Sequence, residues 1–234
     1  MLEIGSLCYN FSMSMEKVGV SSDNHESKLE EKVREIEILL KEAKEENKEL
    51  EATLQRAGID GLTGLLRREQ LEPRLEKLIA TLKYSTEHSL VEQRHSSLKA
   101  ILVLRLDVNK LKKFNEAPYN HHVGDQVLVT FARRLEKVTK EGDILVRIGG
   151  DEFVVVMPVL DDNVDFIKFS EDVKNRINKN LFIEVNKDIL NITASVGYSV
   201  TEKGEKNTEQ LLIEADLSER KDKNSKIVLE DYSI

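Results

Sequence analysis

Asp107, Asp151 and Glu152 are the residues of this chain whose setting suggests chemistry. Asp151 and Glu152 follow Gly149-Gly150, between the apolar runs Ile144-Leu145-Val146 and Val154-Val155-Val156-Met157. Two short β-branched runs about a Gly-Gly turn predict an antiparallel hairpin with both acids at its tip. Glycine lets backbone come close to a ligand, so a carboxylate beside it offers a place where a cation and a phosphate could meet. Asp107 closes a second stretch, Ala100 to Leu106, whose near-continuous apolar run reads as a buried strand. Asp107 should then emerge at the carboxyl end of that strand, the edge where ligand crevices of open α/β sheets lie. If hairpin and strand are neighbours, Asp107 and Asp151 converge. Two hard oxygen ligands with open positions suit Mg²⁺, which takes one or two carboxylates plus substrate phosphates. Two such ions would clamp an in-line phosphoryl displacement. The competing readings are a solvated hairpin tip and, for Asp107, a cap on the helix that follows.

The elements that must position these acids alternate along the chain. The pattern predicts a helix over 67–82, a polar loop over 84–97 carrying His88 and His95, and a strand over 100–107. Helices over 109–117 and 122–139 follow, then strands over 144–149 and 152–158 and a helix over 163–179. Strands over 181–185 and 189–200, a helix over 208–218 and a strand over 226–230 complete it. Alternating strands and helices imply an α/β (α+β) domain with an internal sheet, and the hairpin makes that sheet mixed.

Residues 26–57 lack Pro and Gly and carry a heptad. Val33, Leu40, Asn47 and Leu54 fall at a; Leu29, Ile36, Ala43, Leu50 and Ala57 fall at d. A lone Asn at an a position favours a parallel two-stranded pairing, because its amides bond each other only in register. The alternative is a single solvated helix. Gly58 ends the segment. The expected organisation is a flexible tail over 1–25, a coiled-coil homodimerisation helix over 26–57, and a catalytic domain over 58–234.

Composition bounds the rest. Hydrophobic residues form 40% of the 234, enough for a real core, and the net charge is −8. That balance argues against a nucleic-acid-binding surface, which is usually basic. It leaves room for a nucleotide pocket, where local lysines and a metal count for more than the total. Cys8 is the one cysteine, which suits a reducing compartment. No apolar run reaches the ~18 residues that span a membrane, and no secretory signal opens the chain. A soluble cytoplasmic protein is expected, with neither membrane nor nucleic acid as partner.

Gly149-Gly150-Asp151-Glu152-Phe153 is the motif for which the GGDEF diguanylate cyclases are named, and further segments resemble that family in its own order. They are Asp60-Gly-Leu-Thr-Gly-Leu65, Leu106-Asp-Val-Asn-Lys-Leu-Lys-Lys-Phe-Asn115, Gly124-Asp125, Ile192-Thr-Ala-Ser-Val-Gly197 and Glu214-Ala-Asp216, covering roughly residues 58–228. The resemblance implies the nucleotidyl-cyclase architecture, related to polymerase palms: a mixed sheet flanked by helices. It implies condensation of two GTP into cyclic di-GMP, with two Mg²⁺ per active site and Mn²⁺ as the alternative ion. One site holds one GTP, so catalysis implies a dimer.

Carried over residue by residue, the resemblance makes Asp107, Asp151 and the Val108 carbonyl the metal ligands. Glu152 either ligates metal or helps deprotonate the 3′-hydroxyl. Asn115 and Asp125 read guanine, Gly149 and Gly150 approach the substrate, and Lys223 contacts phosphate. The start of the helix at Lys110, Leu111 and Lys112 faces phosphate through its free N–H groups, with Lys112 adding a cation. His122 falls near a family histidine and reads as structural. Departures are Asn109 for an aspartate, one extra residue between Asn115 and Asp125 around Pro118, Arg220 for a tyrosine, and no Gly-Arg-Asn ending. Lys226 is the candidate for the absent arginine, though lysine lacks its bidentate fork. Lys140 and Asp143 occupy the product-inhibition segment without its arginine, which implies little feedback inhibition. Besides an active cyclase, the sequence allows a weak GGDEF domain that binds GTP or cyclic di-GMP as a regulator, and an inert domain on a dimerising helix.

Overall fold

The computed structural model describes residues 23–88 and 98–231; Cys8, His95 and most of the expected tail lie outside them. The chain divides into two units between Thr53 and Leu54. The first is described by most of α1 (Asp23–Arg56), one uninterrupted helix of 34 residues, about 50 Å long at 1.5 Å per residue, whose last turn passes the boundary. Leu29, Val33, Ile36, Leu40 and Leu50 are all exposed on it. Among the described residues no helix is long and apolar enough to cross a membrane.

The second unit is a mixed α/β domain. Its elements are β1 (Leu66–Arg67), a 3-10 turn (Arg68–Gln70), α2 (Leu71–His88), β2 (Ala100–Val108), α3 (Leu111–Asn115), α4 (His121–Val138), β3 (Ile144–Gly149) and β4 (Glu152–Val159). They continue with α5 (Phe166–Asn178), β5 (Phe182–Val185), β6 (Asp188–Asn191), β7 (Ala194–Thr201) and α6 (Thr208–Asp231). Five strands form one sheet in the order β1-β3-β4-β2-β7, and β5 and β6 form a separate ribbon. β1 runs parallel to β3, whereas β3, β4, β2 and β7 are successively antiparallel.

Three expectations need correction. The strand expected over 226–230 is helix: α6 runs unbroken to Asp231. Nothing between Thr208 and Asp231 is Gly or Pro, so no breaker stops the helix, and it runs on through the β-branched pair Ile227-Val228. The loop expected from 84 begins later, because α2 extends to His88. The strand expected over 189–200 is two strands, β6 and β7, in different sheets.

Strand alternation explains the core. Leu102, Leu104 and Leu106 of β2 are buried with Phe131 and Leu135 of α4 and Ile177 of α5. Ile101 and Val103 join Leu75 of α2 and Leu211 of α6 in a second cluster. Each such side chain contributes about 1.5–3 kcal/mol when fully buried. Successive strand residues point to opposite faces, so Arg105 and Asp107 share the second face with Ile101 and Val103. That face is apolar at one end of β2 and charged at the other. α6 lies against it closely: a Cβ at Gly197 of β7 would strike the backbone of Ala215 and Glu219.

Candidate active site

The hairpin and the long strand are neighbours. β2 pairs with β4 so that Asp107 stands opposite Glu152, and the Val108 N–H donates to the Asp151 carbonyl at 3.0 Å. The turn is tight. Gly150 has a φ of 48°, in the left-handed region open to glycine, and the register shifts between Arg147 and Gly149. Bulges of this kind re-aim side chains beside active sites. Two groups fix the tip from behind. Phe153 is buried edge-on against Phe131, ring centroids 5.0 Å apart, an arrangement worth about 0.5–1.5 kcal/mol beyond its burial. Arg147 donates to the Gly150 carbonyl from Nε (3.1 Å) and Nη2 (2.7 Å), and from Nη1 to Asp60 Oδ1 at 3.1 Å. Asp60 also accepts from the Thr63 N–H and hydroxyl. Burial opposes its charge, but these bonds and the arginine win, holding its carboxyl below the ordinary value.

A charge network underlies the acids. The Lys223 ammonium donates to Asp107 Oδ1 at 2.7 Å. Burial works against its charge, yet the bond to Asp107, with the fields of Glu219 and Asp151, leaves its pKa raised. Glu152 Oε1 is 2.8 Å from Arg105 Nη2, Arg105 Nε is 3.0 Å from Asp216 Oδ1, and Arg220 Nε is 3.0 Å from Asp216 Oδ2. Beside them Glu219 is buried, 5% exposed, and its Oε1 has no hydrogen-bond partner. Burial, then the charge of Asp107, push its pKa up against the pull of Lys223 and Arg105. Asn109 Oδ1 accepts from Ser195, and its amide donates to Thr193.

Arg105, Arg147 and Glu219 were not singled out as site residues from sequence, although each carries a signal. Arg105 is the lone cation in an apolar run, Arg147 opens the hairpin motif, and Glu219 continues the i, i+4 series of the buried Leu211 and Ala215.

The structure brings Asn115 and the Gly124-Asp125 pair together: the Asn115 carboxamide lies against Gly124, where any Cβ would collide with it. The extra residue is absorbed between α3 and α4, where Asn120 caps α4 by accepting from the Val123 N–H at 3.2 Å. Asp125 is exposed, and His122 contacts Gln126 on the outer side of α4. Lys110 takes a left-handed conformation (φ 59°) just before α3, and Leu111 is buried. Lys112 is turned to solvent, 89% exposed and 3.7 Å from Glu116. The Lys226 side chain lies outside the described residues. At the product-inhibition segment, Asp143 Oδ2 accepts from the Lys140 N–H at 2.9 Å, and its other oxygen is buried without a partner. Burial pushes its pKa up.

Among the described residues no three His, Cys, Asp or Glu side chains gather into a self-sufficient metal cage. A carboxylate near the end of β2 and another in the neighbouring hairpin turn, with a main-chain carbonyl, instead fit an ion that completes its shell from water and substrate phosphate, as Mg²⁺ does.

A family model described as diguanylate cyclase, GGDEF domain, matches residues 57–227. The chain is 31% identical over 167 residues to the response regulator PleD of Caulobacter vibrioides, covering 70% of this chain and 33% of that protein. It is 35% identical over 114 residues to the diguanylate cyclase DgcM of Escherichia coli, covering 48% and 25% respectively. The chain therefore spans a third or less of the length of these curated relatives. A sensory box/GGDEF family protein from Caulobacter crescentus superposes with a TM-score of 0.60 at 27% identity, over 72% of this chain and 99% of that one. The coiled coil and GGDEF domain of DgcB from the same organism, solved with c-di-GMP, superposes with a TM-score of 0.58 over 87% of this chain and 96% of that one. At 21% identity, that second likeness speaks for the fold alone.

Proposed function

This chain belongs to the GGDEF family of diguanylate cyclases, and on that footing we propose that it condenses two GTP into cyclic di-GMP. Each 3′-hydroxyl attacks the α-phosphate of the other GTP. A phosphodiester bond forms as the bond to pyrophosphate breaks, and two pyrophosphates leave. The observation that carries this reading is the pairing of β2 with the hairpin, which sets Asp107 beside the Asp151 turn.

Such chemistry asks a protein chiefly to position its substrates and neutralise developing charge. Asp107, Asp151 and the Val108 carbonyl are the groups that would hold Mg²⁺ or Mn²⁺, and the ion would supply neutralisation of charge at the α-phosphate and acidification of the attacking hydroxyl. Asn115 and Asp125 are the guanine readers: the aspartate accepts from the N1–H and N2–H₂ edge, and the asparagine meets N3 or the amine. Lys223, which pairs with Asp107, would offer its ammonium to phosphate. Arg105 holds Glu152 at the head of β4, opposite Asp107. Residues 26–57 serve as a dimerisation helix that brings two GTP-loaded domains together, raising their effective concentration.

A second reading, a weak GGDEF domain that binds GTP or cyclic di-GMP as a regulator, draws support from one feature. Lys223 and Arg105 already engage Asp107 and Glu152. The deciding experiment is incubation with GTP and Mg²⁺, followed by chromatography for cyclic di-GMP. Product from the wild type, lowered on the order of 10²-fold or more in Asp151→Ala, supports the cyclase. Binding of GTP or cyclic di-GMP without product selects the regulator, and failure to bind either nucleotide sinks both.

A further inference from the structure

The cavity beside Lys223 departs from the charge of the chain as a whole. The net charge is −8, yet this cavity of about 1000 Å³ has lysine as its only charged lining: Lys110, Lys113, Lys174 and Lys223. It starts where Lys223 meets Asp107 and continues under the β5–β6 ribbon, where Ile189 and Leu190 wall it. Its volume lies at the upper end of ordinary small-ligand sites.

The Lys174 and Lys223 ammonium groups are both held by carboxylates. Lys174 Nζ, on α5, is 2.6 Å from Asp222 Oδ1 and 3.5 Å from Glu171 Oε1. Asp222 is itself held, because its Oδ2 accepts from the Val196 N–H of β7 at 3.0 Å. Asp222 immediately precedes Lys223, so neighbouring residues of α6 organise both cations. Burial works against the Lys174 charge, but Asp222 and Glu171 outweigh it and raise its pKa, so it is an ammonium at any ordinary pH. An ammonium has three donors. Its two carboxylate partners engage two of them and leave one for a ligand.

We propose that Lys174 is a substrate-binding residue: the terminal phosphates of GTP enter this cavity and are gripped by Lys223 and Lys174 together. This rests on the cyclase reading, and it gives the anchored α5 lysine the role that an arginine after Lys223 would otherwise take. It also distinguishes triphosphate from monophosphate, because only the former reaches past Asp107.

The test is calorimetric titration of the full chain with GTP, GMP and inorganic pyrophosphate in Mg²⁺. Lys174→Gln, which still donates to Asp222 but carries no charge, should weaken GTP and pyrophosphate about tenfold, the usual scale of one charge-assisted bond. GMP affinity should not change. Lys174→Ala should behave alike, and Lys174→Arg should hold GTP within about twofold. Unchanged GTP affinity in Lys174→Gln, or equal losses for GTP and GMP, overturns the inference while the cyclase reading stands. A wild type that binds no GTP overturns both.

Discussion

At the residue scale, the site is a balance of buried charge. Asp107 draws in Lys223, Glu152 draws in Arg105, and beside them the surroundings of Glu219 oppose its ionisation. Its folded pKa is raised above the ordinary 4.5, so the folded state holds its proton more tightly than the unfolded chain. The resulting penalty is complete once the pH exceeds the folded value. It fades as the pH falls, and is gone below 4.5, where both states are protonated. Glu219→Gln should therefore melt above the wild type at pH 7 and together with it near pH 4. Calorimetric melts at the two pH values check this; a lower melting temperature at pH 7 would show that the charge stabilises. Asp60 has the opposite sign. Its depressed pKa gives stability that is present above the ordinary 3.8 and lost on further acidification.

At the element scale, positions without side chains decide how closely the parts approach. Gly197 lets α6 sit on β7, which carries Glu219 and Lys223 to Asp107. Gly124, in the first turns of α4, makes room for the Asn115 carboxamide at the end of α3. The second contact is with the tip of a movable side chain, so filling it is structurally cheap. Gly124→Ala should stay folded, gaining up to about 1 kcal/mol from better helix propensity. Because the methyl displaces Asn115, GTP affinity should drop about tenfold, the scale of one lost charged or bidentate contact. Urea unfolding and a GTP titration on the same variant separate the two effects. Loss of stability alone would remove Asn115 from the guanine site.

At the scale of the whole molecule, the proposed reaction would need two substrate-loaded domains, and the long helix leaves an apolar seam exposed. Leu40 and Leu50 are each 54% exposed in the single chain. Leu40→Asp with Leu50→Asp should give a monomer in sedimentation, with cyclase activity per chain that rises with concentration; a persistent dimer would place the interface elsewhere. Much of this architecture was legible in the residues. The β2 strand, the hairpin, the heptad and the motif order are local patterns of period and turn chemistry, and a sequence displays those directly. Asp107 and Asp151 could be nominated for the same reason. The mistaken strand over 226–230 has a physical cause too: short β-branched runs read alike in either state until it is known what covers them. The partners of the acids were beyond local reading. Arg105 meets Glu152 across 47 positions and Lys223 meets Asp107 across 116, and no periodicity reports which strand lies beside which. The sequence by itself determined which groups could do chemistry. Tertiary packing decided which charges stand next to them, because those contacts exist only after β2 is placed between β4 and β7 and α6 closes over them.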